Sequence, residues 1–473
     1  MYFSLEKDSS ISLARQLYTK MKEYILNGIL RPNEKLPSTR KLAKELNVSR
    51  NVVVEAYDQL IAEGYLYSIE GSGTYVLEGL SYQKVTLPDS ASKSQADLLY
   101  PSTKDDISFR TGVPDLHLIP IERWGKLYKE VTQTLAPEQL DYQNSFGMYE
   151  LRLELAKYLQ RARGVITTPA HIIITNGAAQ AFHLLKSILS NHDYAILENP
   201  SSKGLQSTLS AYDISYVPIT LDENGLETSK LPRNNPPKLI FTTPSHQFPT
   251  GSILPIKRRI DLIRYAIEQD CYIVEDDYDS EFRYEGNPIP SMQSIEPSRV
   301  IYIGTFSKTL SPAIRMGYMV IPDLYIPSLT QAKYFADIHS PILEQLTMAA
   351  FIREGYYERH IQNMKKVYAK RRTLLLKLLN DSFKNDVIIS GANAGLHLVA
   401  TFKNITFDEA TMQRLQKQRI SISPLSDYYI SNLMPRQSYD YSPCHSLIFG
   451  YGNTNEQQIK DGIKLFYLFC QAL

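Results

Sequence analysis

Cysteine is scarce in this 473-residue chain: there are three, Cys271, Cys444 and Cys470, odd in number and far apart. Such spacing builds neither a disulfide framework nor a metal-ligand set, so no metal site is expected. No apolar stretch approaches the roughly 20 residues that span a bilayer. The opening MYFSLEKDSS is charged and lacks an apolar core, so no secretory signal is expected there. Neither sign of charge dominates, with 51 Lys and Arg against 50 Asp and Glu, and net charge therefore points to no partner. No internal repeat is evident. What these absences leave is a soluble, cytoplasmic globular protein without a membrane partner. Its length exceeds one ordinary core, so two domains are expected, equal or one large and one small.

Residues 1–76 form a first block. Leu13, Leu17, Met21 and Ile25 recur at helical spacing, which predicts a helix within Ile11 to Leu30. Ser38 is placed to cap a second helix carrying Leu42, Ala43 and Leu46 on one face. Asn47-Val48-Ser49 then interrupts, and Ser49 is placed to cap a third helix from Arg50 to about Glu63. Gly64 ends it, and LYSIE-GSG-TYV reads as a hairpin turning on glycine. Two short helices, a tight turn and a hairpin make a winged helix-turn-helix. From Arg15 to Arg50 there are nine Lys or Arg against three Glu, whereas Asn51 to Leu80 has neither Lys nor Arg. A module with one cationic end suits contact with phosphates. LPSTRKLAKELNVSRNVVVEAYDQLIAEGYL…GSGTYV resembles the DNA-binding domain of the GntR family. That resemblance implies double-stranded operator DNA as partner, met by Arg40, Ser49, Arg50, Asn51 and Val52 with Gly71, Ser72, Gly73 and Thr74 on the wing. Arg50 suits a bidentate guanine contact or a phosphate, and the sequence leaves both open.

Residues 77–106, rich in Ser, Lys, Asp, Pro and Gln, read as a flexible linker reaching about 30 Å. From 107 to 473, apolar runs alternate with helical stretches: HIIIT (171–175), YAILEN (194–199), KLIFTT (238–243), CYIVEDD (271–277) and VIYIG (300–304). The alternation predicts a mostly parallel sheet covered by helices, an α/β fold with functional residues at the strand carboxyl ends. Three groups fall there. Asn176-Gly177-Ala178-Ala179-Gln180 opens a helix, where small residues let backbone N–H groups approach an anion. Glu275-Asp276-Asp277-Tyr278 follows an apolar run; buried, such carboxylates imply a cationic partner, the alternatives being a Mg²⁺ site or a solvent-exposed acidic turn. Thr305, Ser307, Lys308 and Arg315 combine hydroxyls, an amine and a guanidinium.

Together they suit pyridoxal phosphate, which needs an amine for its aldehyde, an acid facing its ring nitrogen and donors around its phosphate. ISFRTGVPDLHLIP, TNGAAQ, TTPSHQFPTG, EDDYDSEFRY and GTFSKTLSPAIRMGY resemble fold-type I aminotransferases over about 107–473, with a small C-terminal domain after the main sheet. Joined to the winged head, they resemble the MocR (GabR-like) regulators. The resemblance implies Lys308 as the Schiff-base lysine, Asp276 as the partner of the ring nitrogen and Tyr278 facing the ring hydroxyl. It also implies Gly177, Ala178, Thr305, Ser307 and Arg315 around the phosphate, and Tyr142 reaching the phosphate of the other subunit in a homodimer. Departures from the enzymes are expected to weaken turnover or abolish it. Phe248 stands where they carry asparagine, Ser202 where an aromatic ring often stacks (His246 being one substitute), and Ile448 near their substrate-carboxylate arginine. Asp427 offers no base, which leaves Arg436 and Lys203 as carboxylate partners. The implied function is a PLP-dependent transcription regulator sensing PLP itself or an amine or amino acid; the alternative is a working aminotransferase with an appended DNA-binding domain.

Overall fold

The computed structural model describes residues 4–79, 107–430 and 443–473. The chain divides into two compact units, Met1–Pro101 and Ser102–Leu473. Most of the segment expected as a linker, residues 80–106, lies outside the described residues.

In the first unit, helix Leu13–Leu26 starts at Ser12, whose hydroxyl accepts from the Arg15 N–H. It stops short of Leu30 because Gly28 turns into the left-handed region at φ +72°. Ser38 caps helix Thr39–Leu46 through the Lys41 N–H. Asn47, at φ +52°, makes the turn into helix Arg50–Ala62, a conformation its short polar side chain tolerates. Leu17, Met21 and Ile25 share one core with Val53, Ala56, Tyr57 and Leu60. Strands Leu66–Ile69 and Gly73–Val76 pair antiparallel, with Ile69 opposite Gly73.

The second unit is built on an eight-stranded sheet. Its spatial order is Ile172–Thr175, Gly317–Val320, Val300–Thr305, Tyr272–Asp277, Leu239–Thr242, Ala195–Asn199, Tyr216–Asp222 and Gly225–Leu226. The five strands from Val300–Thr305 through Tyr216–Asp222 run parallel. Helices cover both faces, so the central strands are apolar nearly throughout and legible as runs. Gly317–Val320, not anticipated from the sequence, runs antiparallel to both its neighbours. A 28-residue helix, Tyr356–Phe383, leads to a smaller antiparallel sheet of Val387–Ser390, His397–Phe402, Ser446–Gly450 and Ser423–Pro424. This is the small C-terminal part expected. Among the described residues, no helix is long and apolar enough to cross a membrane.

Candidate cofactor site and nucleic-acid face

Strand register brings the three sequence groups to one edge. Thr175 pairs with Gly317, Gly317 with Thr305, and Gly304 with Asp277. The ends of these strands carry Asp276 and Thr305, and the turns beside them carry Asn176-Gly177, Phe306 to Lys308 and Arg315.

The three consecutive carboxylates have different fates, because neighbouring strand residues face opposite sides. Glu275 accepts from the backbone N–H groups of Met292 at 2.9 Å and Gln293 at 3.0 Å. Asp277 accepts from Arg163 Nε at 2.7 Å and from the Tyr302 hydroxyl at 2.6 Å. Arg163 is the cation that the acidic run required, and its remaining donors go to the Ile289 carbonyl and the Ser245 hydroxyl. Asp276 accepts no hydrogen bond from any described residue. Burial, with the neighbouring Asp277 charge, pushes its carboxyl up to about 7.

Lys308 donates from Nζ to the Gly112 carbonyl at 2.7 Å. Burial draws its ammonium below the ordinary lysine value, against the opposing pull of Asp279 and Asp276. A lowered value enlarges the share of free amine, the nucleophilic form. Gly112 stood in a quoted motif without an assigned role; only the fold shows its carbonyl against the amine.

Arg315 has left-handed backbone at φ +48° and donates from Nη2 to the Asn176 carbonyl at 2.9 Å. Gly177 sits at φ +84°, ψ 173°, opening helix Ala178–Leu184. A Cβ at that position would lie 2.9 Å from Arg315 Nη2. Thr305 and Ser307 are buried, and the Ser307 N–H donates to the Thr305 hydroxyl at 3.2 Å.

These features fit pyridoxal phosphate on structural grounds: a carboxylate without a hydrogen-bond donor, a desolvated amine, and a glycine turn left open beside a guanidinium. Gly177→Ala is expected to weaken PLP binding at least tenfold. The backbone there is close to glycine-only, costing about 1–3 kcal/mol for another residue, and the new methyl would displace Arg315. Equilibrium titration of apo-protein with PLP checks this; unchanged affinity would separate the turn from the cofactor.

Other expected residues lie as follows. The Tyr278 hydroxyl donates to the His246 carbonyl at 2.9 Å. His246, offered as a stacking ring, is only 2% exposed and is held by Asp279 and Gly391. Tyr142 is 77% exposed and lies edge-on to His339. Phe248 packs edge-on against Tyr278, His397 and Tyr428. Ile448 is fully buried inside the small sheet. Lys203 and Asp427 pair with each other at 3.3 Å. Arg436 lies outside the described residues.

On the first unit, Arg40, Ser49, Arg50 and Asn51 are exposed and Val52 is partly so. Ser49 occupies the expected N-cap with extended backbone, but its hydroxyl makes no capping bond. Arg50 Nε reaches the Thr39 hydroxyl at 3.4 Å. Gly71, Ser72 and Gly73 form the exposed wing tip and Thr74 lies just inside it, bonded to Ser68. Sequence reasoning missed Lys35. The Leu36 N–H donates to the Thr74 carbonyl, which lays Lys35 along the wing so closely that a Cβ on Gly73 would sit 2.9 Å from its Cε. Its membership of the cationic stretch was the available signal.

Residues 13–76 match the family of bacterial regulatory proteins of the gntR family, and residues 104–437 match aminotransferase class I and II. The chain is 33% identical to the probable rhizopine catabolism regulatory protein MocR of Rhizobium meliloti, covering 97% of this chain and 94% of that one. It is 29% identical to the HTH-type pyridoxine biosynthesis transcriptional regulator PdxR of Corynebacterium glutamicum, over 97% and 96%. Among solved structures, Pyrococcus horikoshii kynurenine aminotransferase in complex with PMP superposes with a TM-score of 0.71 at 26% identity, over 83% of this chain and 97% of that one.

Proposed function

Since this chain belongs to the MocR-like subfamily of GntR regulators, we propose that it is a PLP-dependent transcription regulator whose aminotransferase-like unit senses a small effector. The observation that carries the cofactor reading is Asp276, a carboxylate without a donor on the same sheet edge as the Lys308 amine. Bound pyridoxal phosphate supplies an aldehyde for an amine to condense with and a ring that withdraws electrons. Lys308 would hold it covalently, the Gly112 carbonyl keeping the free amine in place beforehand. Asp276 would keep the proton on the ring nitrogen. Gly177, Ala178, Thr305, Ser307 and Arg315 would hold the phosphate, and Tyr278 would face the ring hydroxyl. Tyr142 would complete the site of the partner in a homodimer.

The effector is PLP itself or an amine or amino acid. Among the described residues, Ile448 brings no cation and Lys203 is paired with Asp427, which favours PLP over a carboxylate-bearing ligand. They also support weak or no transamination, since an unclamped substrate forfeits positioning, which supplies much of a rate. Adding PLP to apo-protein should change DNA affinity about 5–150-fold, the range of ordinary allosteric coupling. No change without an amino acid present would exclude PLP as the effector. Rapid formation of pyridoxamine phosphate over many turnovers would favour the enzyme instead.

For the head, Arg50→Ala is expected to weaken binding to random-sequence duplex DNA and to lower the salt slope by about one. Affinity measured at several salt concentrations checks this, and an unchanged slope would take Arg50 off the phosphates.

A further inference from the structure

His246 is buried beside the cofactor site, and both of its ring nitrogens face acceptors. Nε2 lies 3.2 Å from the Gly391 carbonyl oxygen, which can only accept. Nδ1 lies 3.2 and 3.3 Å from the two oxygens of Asp279. The Tyr278 oxygen is also 3.2 Å from Nδ1, and its proton is already given to the His246 carbonyl. A neutral imidazole carries one N–H and would aim a lone pair at an acceptor from its other nitrogen. Two N–H groups satisfy every contact.

The acceptor at Nε2 belongs to a distinctive loop. Gly391 to Leu396 joins two strands of the small sheet and lies flush on His246, Thr250, Gly251 and Asp279, in the segments that follow two strands of the large one. A Cβ on Gly395 would come within 2.2 Å of the His246 ring and 2.4 Å of Asp279. A Cβ on Gly391 would meet the Thr250 carbonyl at 2.7 Å, and one on Gly251 would meet Gly391 Cα at 2.3 Å. Glycine at all three positions permits the approach. The loop is tied further by the Gly395 N–H to the Phe282 carbonyl at 2.7 Å, by Tyr284 and Tyr451 to the Gly395 carbonyl, and by His397 Nε2 to the Pro249 carbonyl.

We propose that His246 is a doubly protonated positioning residue that bolts the Gly391–Gly395 loop of the small sheet to the floor of the cofactor site and fixes the Tyr278 hydroxyl there. This rests on the reading of that site given above. It makes the floor a route from Tyr278 to the small sheet, because moving either group disturbs the same imidazolium. Burial opposes the charge, yet Asp279 more than offsets burial and the net effect raises the histidine above its ordinary value. Arg283 opposes it from the same stretch as Asp279. The neighbouring His397 is held neutral, well below its ordinary value, by burial and by His246. The sign follows. The bolt is complete at low and neutral pH and weakens as pH rises through the elevated value.

Hydrogen–deuterium exchange of residues 388–398, corrected for intrinsic rates, tests this in protein with and without PLP. Protection of the loop should fall as pH rises in the wild type. His246→Gln retains one donor but no charge, and should exchange about tenfold faster with little pH dependence; Asp279→Asn should do the same if the first variant folds poorly. Wild-type protection in both variants would overturn the proposal, as would one equivalent of Zn²⁺ bound through His246, Asp279 and His397, whose donor atoms lie within 4.8 Å of one another. The visible cofactor band, followed in the PLP-loaded samples, separates the two readings. A wild type without the band fails the cofactor reading, whereas a normal band with an indifferent loop fails this proposal alone.

Discussion

A Lys308→Ala protein should lose covalent cofactor entirely. In the wild type, borohydride reduction is expected to fix one PLP-derived mass per chain; in the variant it should fix none. The reason is local. Lys308 is the amine that burial has shifted toward its free form, and it is held against the Gly112 carbonyl. Alanine removes the nucleophile and leaves the carboxylate and guanidinium in place, so residual PLP binding is expected to be reversible. Any PLP-dependent change in DNA affinity should disappear with the linkage or shrink to the little that non-covalent binding drives. Stability should change little, because the lysine makes one hydrogen bond, worth about 0.5–1.5 kcal/mol. Intact-mass spectrometry decides the matter. A reduced adduct of unchanged yield in the variant would place the reactive amine elsewhere.

The largest loss of stability is expected from Arg163→Leu. Arg163 and Asp277 are nearly inaccessible, with side chains 4% and 2% exposed. Removing the guanidinium strands a carboxylate in the interior, with only the Tyr302 hydroxyl left to it. Breaking a buried pair from one side typically costs about 3–5 kcal/mol, more than the pair contributes over an apolar substitute. The same reasoning predicts partial recovery in Arg163→Leu/Asp277→Asn, which removes the unpaired charge. Urea unfolding of the large unit measures both proteins. A single variant within about 1 kcal/mol of the wild type, or a double variant worse than the single one, would show that Asp277 is not held by Arg163. The site should suffer with the fold, since Asp277 adjoins Asp276 on the same strand.

Both predictions turn on how far local sequence reaches. The five apolar runs, the capped helices of the head and the order of glycine turn, acid, lysine and arginine were legible because each depends on residues close in sequence. A strand buried on two faces must be apolar throughout, and the lysine became informative only together with the glycine turn, the acid and the arginine. Elsewhere local signal failed. Ser49 looked like a cap and occupies the cap position, yet makes no capping bond. The first helix falls within the expected Ile11–Leu30 stretch, but periodicity did not mark its end at Leu26, which precedes a left-handed glycine.

The sequence alone determined the kind of molecule: a winged head on an aminotransferase-like unit, with an amine, an acid and an arginine suited to one coenzyme. Only the tertiary structure decided which charges are spoken for. Three adjacent carboxylates are alike as text, but the two-residue period of a strand sends Glu275 and Asp277 to partners in the interior. Asp276 turns the other way and keeps its oxygens without a donor. Arg163, Gly112 and the His246–Asp279 pair carry no local signature, because burial and hydrogen bonding between segments far apart in the chain are set by how sheets and loops stack.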